Sequence, residues 1–323
     1  MAAQQAAILG DIVRLLSRKA EFVEVPCPAC GSPEAFPRFG KRGFNYVECR
    51  GCRTMYMTPR PSPSVLEWLY RESENYAYWN KVIFPASEAA RREKIFVPRV
   101  DRTLELCGKY GAGRGALLEI GAGFGTFCSE LKARNAFDRI VAVEPTPDLA
   151  ATCRRRGIEV IEQPVDRIDP AALGRFDVIA SFEVIEHLFA PGTFVDDAAR
   201  LLAPKGLLIL TCPNGRGFDI ETLGPLSSAV DHEHLNYFNP GSLGLLLGEH
   251  GLEVLECFTP GRLDAELVRN QAIAGAIDLS AQAFLRRVLI DDWDEIGEAF
   301  QDFLVQQGLS SNMWIVAGSP RPS

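Results

Sequence analysis

The sequence predicts an α/β protein in which a doubly wound sheet of seven strands follows a small cysteine-rich module. Two observations lead to this prediction. From residue 116 onwards, short apolar runs alternate with segments of helical periodicity, the pattern of a parallel sheet covered by helices on both faces. Before that point, two pairs of cysteines stand at the spacing of a metal-binding ribbon. We therefore expect two structural parts joined by a helical segment.

Composition and charge narrow the functional classes. The chain of 323 residues is long for one domain, and its net charge of −8 disfavours a general nucleic-acid binder, which needs a basic face. No apolar run is long enough to cross a bilayer, and the N-terminus lacks the basic start and cleavage site of a signal peptide. The nine cysteines fit a reducing compartment. We therefore expect a cytoplasmic protein that binds no membrane, and nucleic acid is a disfavoured partner.

The N-terminal region divides into an amphipathic helix over residues 1–20 and a zinc-ribbon module over residues 21–62. Its pattern C-x2-C-x18-C-x2-C lets both sulfurs of each pair face one tetrahedral ion. The predicted zinc ligands are Cys27, Cys30, Cys49 and Cys52. Four thiolates leave no open coordination position, so the predicted zinc is structural. A ribbon that reads nucleic acid stays open as an alternative.

Residues 63–110 are predicted to be a helical linker. Ser62 and Pro63 form a helix-starting pair, and a charged amphipathic helix with a kink at Pro98 is expected over residues 87–110. Between them lies the aromatic segment 76–84. Two interpretations of that segment stay open: a lid that closes over a cofactor, or packing between the two structural parts.

A glycine-rich turn organises the rest of the chain. A buried strand carries Glu119, and Gly121, Gly123 and Gly125 then lead into a helix. Such a turn presents backbone N–H groups and a positive helix end to a ligand that comes very close. The third glycine comes one residue early for a dinucleotide fingerprint, and no lysine follows as in a P-loop. After the second strand Glu144, 23 residues beyond Gly121, stands where a carboxylate accepts both ribose hydroxyls of a nucleoside.

The alternating pattern continues to the end of the sheet. The seven predicted strands span residues 116–120, 140–143, 158–162, 176–180, 206–211, 252–258 and 313–317. An insertion over residues 261–311 separates the last two strands and is predicted to form amphipathic helices. It would serve as a lid over the substrate or as the contact face of a homo-oligomer, and the sequence leaves both open.

Four segments together resemble class I S-adenosylmethionine (SAM) methyltransferases. They are E-x-G-x-G-x-G at residues 119–125, the acid Glu144, FDVIASFEVIEHL at 176–188 and LLAPKGLLILTCPN at 201–214. The resemblance implies a Rossmann-like sheet whose last strand is antiparallel, a SAM-binding domain over residues 111–323, and methyl transfer as the reaction. The cofactor-binding residues it implies are Glu119, Gly121, Ala122, Gly123, Gly125, Glu144, Pro145, Val165, Phe182 and Glu183.

Two further segments are similar to bacterial methyltransferases that carry an N-terminal zinc-binding module. They are CRTMYMTPRPSP, directly after the ribbon, and DHEHLNYFNPGSLGLLLGEHGLEVL at residues 231–255. Members of that group with known roles often modify deoxysugars or surface polysaccharide, which implies a small carbohydrate acceptor. In its sugar C-methyltransferase branch a tyrosine precedes the H-E-H triplet, but here that position is Asp231. The departure favours transfer to oxygen over transfer to carbon.

The histidines are the candidates for proton transfer. Three of the four in the chain fall in two segments that the resemblance puts at the methyl-donor site. The predicted catalytic residues are His187, His232, Glu233 and His234. A hydroxyl acceptor must lose a proton, so we expect His234 to be the general base, with Glu233 or Asp231 orienting an imidazole. Two alternatives stay open: the triplet only holds its loop, or these residues join Glu186 around a divalent ion.

The sequence thus favours a SAM-dependent methyltransferase acting on a hydroxyl of a sugar or a sugar-derived metabolite. Three rivals stay open. The first is a sugar C-methyltransferase, and the second is a non-catalytic SAM-binding scaffold subunit that docks through the ribbon. The third is an RNA or protein methyltransferase guided by the ribbon, which the acidic balance disfavours.

Overall fold

The computed structural model of the chain describes residues 2–320. Its N-terminal part contains one long helix, five short strands and a run of helices. The elements are α1 (Ala2–Ser17), β1 (Phe22–Val23), β2 (Ala35–Lys41), β3 (Phe44–Cys49), β4 (Met55–Met57), β5 (Arg60–Pro61), α2 (Pro63–Glu72), α3 (Glu74–Tyr78), α4 (Phe84–Arg91) and α5 (Val97–Tyr110). Strands β2, β3 and β4 form the antiparallel ribbon that the cysteine spacing predicts.

The larger part alternates strands and helices. Its elements are β6 (Ala116–Ile120), α6 (Thr126–Ala133), β7 (Arg139–Val143), α7 (Pro147–Arg155), β8 (Glu159–Ile161), α8 (Pro170–Leu173), β9 (Phe176–Phe182), α9 (Pro191–Leu201), β10 (Leu202–Pro213), α10 (Phe218–Leu223), β11 (Asn236–Tyr237), α11 (Pro240–Glu249), β12 (Glu253–Phe258), α12 (Asp264–Ile273), α13 (Ala283–Arg286), α14 (Trp293–Gln306) and β13 (Asn312–Gly318).

A seven-stranded sheet in the order β12-β13-β10-β9-β6-β7-β8 forms the core of this part. Strand β13 runs antiparallel to both of its neighbours, whereas β10, β9, β6, β7 and β8 are mutually parallel. The predicted fold class, including the antiparallel last strand, is confirmed. Leu117, Leu118, Val178 and Ile179 on the two central strands are fully buried, as expected when helices cover both faces of a parallel sheet.

The ribbon contains a strand that the sequence analysis did not assign to it. Strand β11 comes from the segment that carries the H-E-H triplet, yet it pairs antiparallel with β4, with Asn236 opposite Tyr56. The small sheet therefore has four strands in the order β11-β4-β3-β2. Because a strand of the larger part completes the ribbon sheet, the ribbon and the triplet segment form one structural unit.

The helical linker is less regular than expected. Two π-helical turns, Trp79–Ile83 and Arg92–Phe96, interrupt it, and the second ends directly before the first turn of α5, where Pro98 lies. A proline has no N–H to donate, so a helix that continues through one must adjust its hydrogen bonding in the preceding turn. The expected irregularity at Pro98 thus takes the form of a π turn.

The insertion forms three helices that pack together. Helices α12 and α14 share a small apolar core with α10, and Asp264 ties the insertion to the end of the chain by accepting hydrogen bonds from Ser310 Oγ (2.6 Å) and the Ser311 N–H (2.5 Å). Across residues 2–320, we find no helix whose length and hydrophobicity would suit it to cross a membrane.

Candidate functional site

The glycine turn between β6 and α6 is shaped by three left-handed residues. Gly121, Gly123 and Gly125 have φ values of +79°, +56° and +67°, which favour glycine. A Cβ on Gly121 would lie 2.5 Å from Val184 Cγ2, and one on Gly125 would lie 2.8 Å from Cys153 Sγ. A Cβ on Gly123 would meet no atom within 4 Å. The outer glycines are thus required by packing, whereas the middle one borders open space that a ligand can approach.

Glu144 supports this turn from the end of β7. Its Oε2 accepts a hydrogen bond from the Gly123 N–H (2.8 Å) and its Oε1 accepts one from the Thr146 N–H (2.9 Å). Burial raises the pKa of Glu144 above its ordinary value. The Thr146 side chain donates to it as well. A carboxylate offers about four acceptor directions, so Glu144 retains acceptor capacity for a ribose hydroxyl.

Glu119 lies beneath the same turn. Its side chain is buried, and its Oε2 accepts a weak hydrogen bond from Cys128 Sγ (2.9 Å). Burial raises the pKa of Glu119 to about 8. The backbone N–H of Cys128 donates to it as well. A buried carboxyl group held by uncharged donors favours the approach of a cation, which would restore the ionised form.

Phe182 ends strand β9 and Glu183 follows it, both next to Arg99, a residue that the sequence analysis missed. The Arg99 guanidinium carbon lies 4.7 Å from the Phe182 ring centroid, and its Nη2 is 3.5 Å from Glu183 Oε1. Glu183 adopts a φ of +57°, a conformation that is strained for a residue with a side chain and concentrates at functional sites. Its Oε1 also accepts a hydrogen bond from Thr211 Oγ1 (2.7 Å), so it is held in place.

The remaining predicted cofactor residues lie around the turn. Ala122 is buried inside it, Pro145 is exposed beside Glu144, and Val165 begins the short 3-10 turn that follows β8. From the linker, Phe84 stacks on Phe124 of the glycine turn, with ring centroids 3.5 Å apart and planes 6° apart. The aromatic linker therefore contacts the turn directly.

His187 and His234 meet on the other side of the β9 turn. Their rings are 4.6 Å apart in an edge-to-face arrangement. His187 Nδ1 is 3.0 Å from the Glu233 carbonyl oxygen, and His234 Nδ1 is 2.9 Å from the Ala229 carbonyl oxygen. A carbonyl only accepts hydrogen bonds, so each Nδ1 carries the proton. Each Nε2 therefore has a free lone pair.

Glu233 lies beside this pair and faces the linker. Its Oε1 accepts a hydrogen bond from Asn75 Nδ2 (3.2 Å), and the Tyr76 hydroxyl is within hydrogen-bonding reach. Burial and the charge of Asp231 raise the pKa of Glu233 to about 7. Asp231 Oδ1 accepts the backbone N–H groups of Glu233 (2.8 Å) and His234 (3.1 Å), which shapes the loop.

His232 is separated from the other two histidines. Its buried ring packs against Phe44 of the ribbon, with ring centroids 6.3 Å apart. Its Nε2 is 3.7 Å from Glu233 Oε1, too long for a hydrogen bond. Of the predicted catalytic residues, the structure thus brings His187, Glu233 and His234 together and directs His232 towards the ribbon.

Asn236 holds the two histidine segments together. Its buried Nδ2 donates to the carbonyl oxygens of Leu188 (2.8 Å) and Ile185 (3.2 Å), and the Leu235 N–H donates to the Glu186 carbonyl oxygen (2.8 Å). Asn236 is also the residue of β11 that pairs with the ribbon. The ribbon, the β9 turn and the triplet loop are therefore connected through one residue.

The four ribbon cysteines converge on one point. Cys27 Sγ is 3.4 Å from Cys52 Sγ, and Cys30 Sγ is 3.6 Å from Cys49 Sγ. All four sulfur atoms lie within 4.8 Å of one another, and the cysteines are free thiols. This arrangement could hold a metal ion.

A family model described as a methyltransferase domain matches residues 89–257, more than half of the chain. The chain belongs to this methyltransferase family. The match covers the glycine turn, the β9 turn and the triplet loop, so all three belong to the methyltransferase domain.

Two curated relatives illustrate the range of similar proteins. The methyltransferase chain is 27% identical over 229 residues to the C-methyltransferase NovU of Streptomyces niveus, covering 67% of this chain and 48% of that protein. It is 38% identical over 103 residues to a ubiquinone biosynthesis O-methyltransferase of Caulobacter sp. (strain K31), covering 30% of this chain and 40% of that protein. The chain thus spans about half the length, or less, of these two relatives.

Solved structures share the methyltransferase fold at low sequence identity. A SAM-dependent methyltransferase from Clostridium acetobutylicum has a TM-score of 0.50 at 10% identity, covering 75% of this chain and 99% of that chain. The 1,6-didemethyltoxoflavin-N1-methyltransferase of Burkholderia thailandensis, with bound 1,6-didemethyltoxoflavin and S-adenosylhomocysteine, has a TM-score of 0.50 at 13% identity, covering 88% and 99%. At this identity the likeness extends to the fold alone.

The candidate site contains residues that sequence reasoning did not select. Arg99, Tyr76 and Asn75 come from the helical linker, which carries no motif, and Asn236 follows the triplet without a distinctive spacing. A lone arginine inside a charged helix resembles a solvated surface residue, so the sequence offered no signal for Arg99. The aromatic segment did offer a signal for Tyr76, through its lid interpretation.

Proposed function

We propose that this protein transfers the methyl group of SAM to a hydroxyl of a small, carbohydrate-derived acceptor. The observation that carries the proposal is the turn after β9. One end of it bears Phe182 and Glu183 beside the glycine cradle, and the other bears His187, whose ring meets His234. The turn thus links the cofactor cradle to a pair of imidazoles with free Nε2 atoms.

The cradle residues fit the chemical groups of SAM. Gly123 borders open space, and Glu144 retains acceptor capacity for ribose hydroxyls. Glu119 would pair with the ammonium of the methionine end, and Arg99, which lies between acidic side chains and above Phe182, would pair with its carboxylate. SAM supplies an electrophilic methyl group, and these residues hold and orient it.

His234 is proposed to take the proton of the acceptor hydroxyl. Its Nδ1 is engaged with the Ala229 carbonyl, so Nε2 is the atom that accepts a proton. His187 is kept neutral, because burial lowers its pKa to about 3. Glu233, with Asn75 and Tyr76, lines the approach to His234 and would bind acceptor hydroxyls. The polar character of this lining is what supports a carbohydrate acceptor.

A structural zinc ion at the four ribbon cysteines is part of the proposal. Tetrahedral zinc with Zn–S bonds of about 2.3 Å requires sulfur atoms roughly 3.8 Å apart. Two of the sulfur distances, 3.4 and 3.6 Å, are close to that requirement. Reduced thiolates also suit a reducing compartment, so we extend the proposal to a cytoplasmic location.

The test measures SAM binding and proton transfer by His234 separately. Calorimetry with SAM and with its demethylated product measures how tightly the cradle binds the cofactor. Release of that product across a panel of free sugars, deoxysugars and sugar nucleotides then measures transfer. His234→Ala should lower kcat by about 10²–10⁴-fold and leave SAM affinity unchanged. The matched control is His250→Ala, since His250 is paired with Asp196 on the surface and should leave both quantities unchanged. A near-normal rate in His234→Ala would remove it as the base.

Transfer to carbon is a second candidate. It is supported by the similarity to a C-methyltransferase over 229 residues and by Tyr76, which supplies a phenol near Glu233 although position 231 is an aspartate. A carbon acceptor must first lose a C–H proton. Incubation of keto-sugar acceptors with protein and demethylated cofactor in deuterated water would reveal deuterium at carbon for this candidate and none for the hydroxyl reaction. If cofactor binds but no panel member is methylated, a non-catalytic role would replace both.

A further inference from the structure

Glu186 is a buried carboxylate without a partner. It follows β9 in the 3-10 turn Ile185–His187, its residue is fully buried, and neither carboxylate oxygen has a hydrogen-bond partner. An ionised group in such a position is costly unless a counter-charge or hydrogen bond compensates it. A bound cation or a proton would therefore stabilise this side chain.

Two imidazoles face this carboxylate. His187 Nε2 is 3.9 Å from Glu186 Oε1, and ligating atoms of Glu186, His187 and His234 all lie within 4.8 Å of one another. Both histidines donate their other ring nitrogen, Nδ1, to backbone carbonyls. Histidines that bind metals show this pattern, because the second hydrogen bond fixes the ring and leaves Nε2 for the ion.

We propose that Glu186, His187 and His234 form a second metal site, distinct from the cysteine cluster, for a divalent first-row transition metal. Two imidazoles and one carboxylate suit zinc, cobalt, iron or manganese rather than calcium or magnesium, which prefer oxygen ligands. His232 does not belong to the site, because its ring lies against Phe44. The three side chains come from two loops that Asn236 holds in register, so the site is preorganised.

The site has a functional consequence that rests on the proposed function. The lone pair of His234 Nε2 either binds the metal or accepts the acceptor's proton. A metal-loaded protein therefore lacks its base, and occupancy of the site should inhibit methyl transfer. Removal of the ion by a chelator too weak to strip four thiolates should restore activity.

The first test is metal binding, which does not depend on turnover. Protein purified with zinc in the ribbon is titrated with Co²⁺. The second ion should give d–d absorption without a thiolate-to-cobalt charge-transfer band, because no sulfur is among its ligands. Elemental analysis should find two ions per wild-type chain and one in Glu186→Gln and in His187→Ala. Loss of a ligand should weaken Co²⁺ binding by more than about 100-fold, the upper range for loss of an outer-shell partner.

Controls distinguish the site from the fold and from the proposed function. His250→Ala should keep two ions, and SAM calorimetry on Glu186→Gln should show an intact cradle. A wild-type protein that binds one ion, or a Glu186→Gln variant that binds two, would overturn the site. A rate of methyl transfer that rises when the second ion binds would contradict the expectation that the bound metal blocks His234 as the base. If neither variant affects metal content while His234→Ala still abolishes transfer, the metal proposal fails and the proposed function stands.

Discussion

The cofactor cradle and the histidine cluster are built in different ways. The cradle comes mainly from two adjacent parallel strands and the turn between β6 and α6, within residues 116–144, and Arg99 is added from α5. Its shape depends on glycine backbone angles and one carboxylate. The histidine cluster consists of His187, His234 and Glu233 with its partner Asn75. Its residues come from α3, the β9 turn and the triplet loop, and β11 connects the cluster to the ribbon. Under the proposed function, a local structure would bind the donor, whereas a long-range assembly would meet the acceptor.

Because the two regions are built differently, SAM binding and methyl transfer should be lost independently of each other. Damage to the ribbon should displace His234 with little effect on the glycine turn. Damage to the turn should weaken SAM binding while the histidine cluster stays intact. Variants of either region therefore allow SAM affinity and kcat to be measured separately.

Loss of the ribbon metal should have the largest effect. Cys49→Ser removes one of four converging thiols and should release the ion that orders β2–β4, the sheet to which β11 belongs. Displacement of the histidines by about 1 Å would lower kcat by about 10²-fold. The cradle makes no use of the ribbon cysteines, so the dissociation constant for SAM should change much less.

The measurements for this prediction are zinc content, SAM calorimetry and product release. The matched control is Cys257→Ser, a half-buried cysteine on β12 far from the ribbon in sequence, which should keep its zinc and its rate. An equal loss of SAM affinity and kcat in Cys49→Ser would show that the two regions are not separable.

Two glycine substitutions should separate packing from ligand contact. Gly121→Ala combines a left-handed φ with a Cβ 2.5 Å from Val184, and should lower the free energy of unfolding by about 1–3 kcal/mol. The added Cβ of Gly123→Ala meets no neighbour within 4 Å. This variant should therefore lose only about 1 kcal/mol of stability, because alanine is strained at a left-handed φ. Yet Gly123→Ala should lose more SAM affinity, since its side chain projects into the open cradle.

Chemical denaturation and SAM calorimetry on both variants check whether Gly121→Ala loses more stability and Gly123→Ala loses more SAM affinity. Gly108→Ala on helix α5 is the control, because its Cβ would meet no atom and its φ is not left-handed. Equal losses of stability and of SAM affinity in the two cradle variants would contradict the roles assigned to them.

The pH dependence of the cradle should be the smallest effect. Burial raises the pKa of Glu119 from 4.5 to about 8, so between these values the folded protein binds a proton that the unfolded chain releases. Stability of the cofactor-free protein should therefore decline as pH rises through this window, and Glu119→Gln should remove that part of the decline. At pH 7 the carboxyl group is mostly protonated, so pairing with the SAM ammonium should release a proton.

Calorimetry of SAM binding in two buffers with different ionisation enthalpies measures this proton. The wild type should show a buffer-dependent heat at pH 7 that Glu119→Gln lacks. Identical heats in both buffers for the wild type would show that Glu119 does not pair with the cofactor in its ionised form.

The sequence predicted the glycine turn well because the information for such a turn is local. Left-handed turns demand glycine at particular positions, and a strand that ends in an acid places it at the same sheet edge as the turn. The seven strands and the antiparallel last strand are confirmed, and the boundaries differ mainly at β10, which extends to Leu202–Pro213. The cysteine spacing likewise predicted which sulfurs converge.

The histidine cluster could be predicted only in part, because distant segments create it. The sequence indicated that three histidines lie near the donor, but not that His232 faces the ribbon while His187 and His234 meet. Whether an imidazole is available depends on which backbone carbonyl its other nitrogen contacts, and that contact exists only after folding. By itself, then, the sequence determined the sheet, the cradle and the cysteine pairs, whose geometry follows from short-range backbone constraints. The tertiary structure alone decided that a two-residue strand would join the ribbon to the histidine loop, because that pairing depends on segments about 180 residues apart being brought together by the packed core.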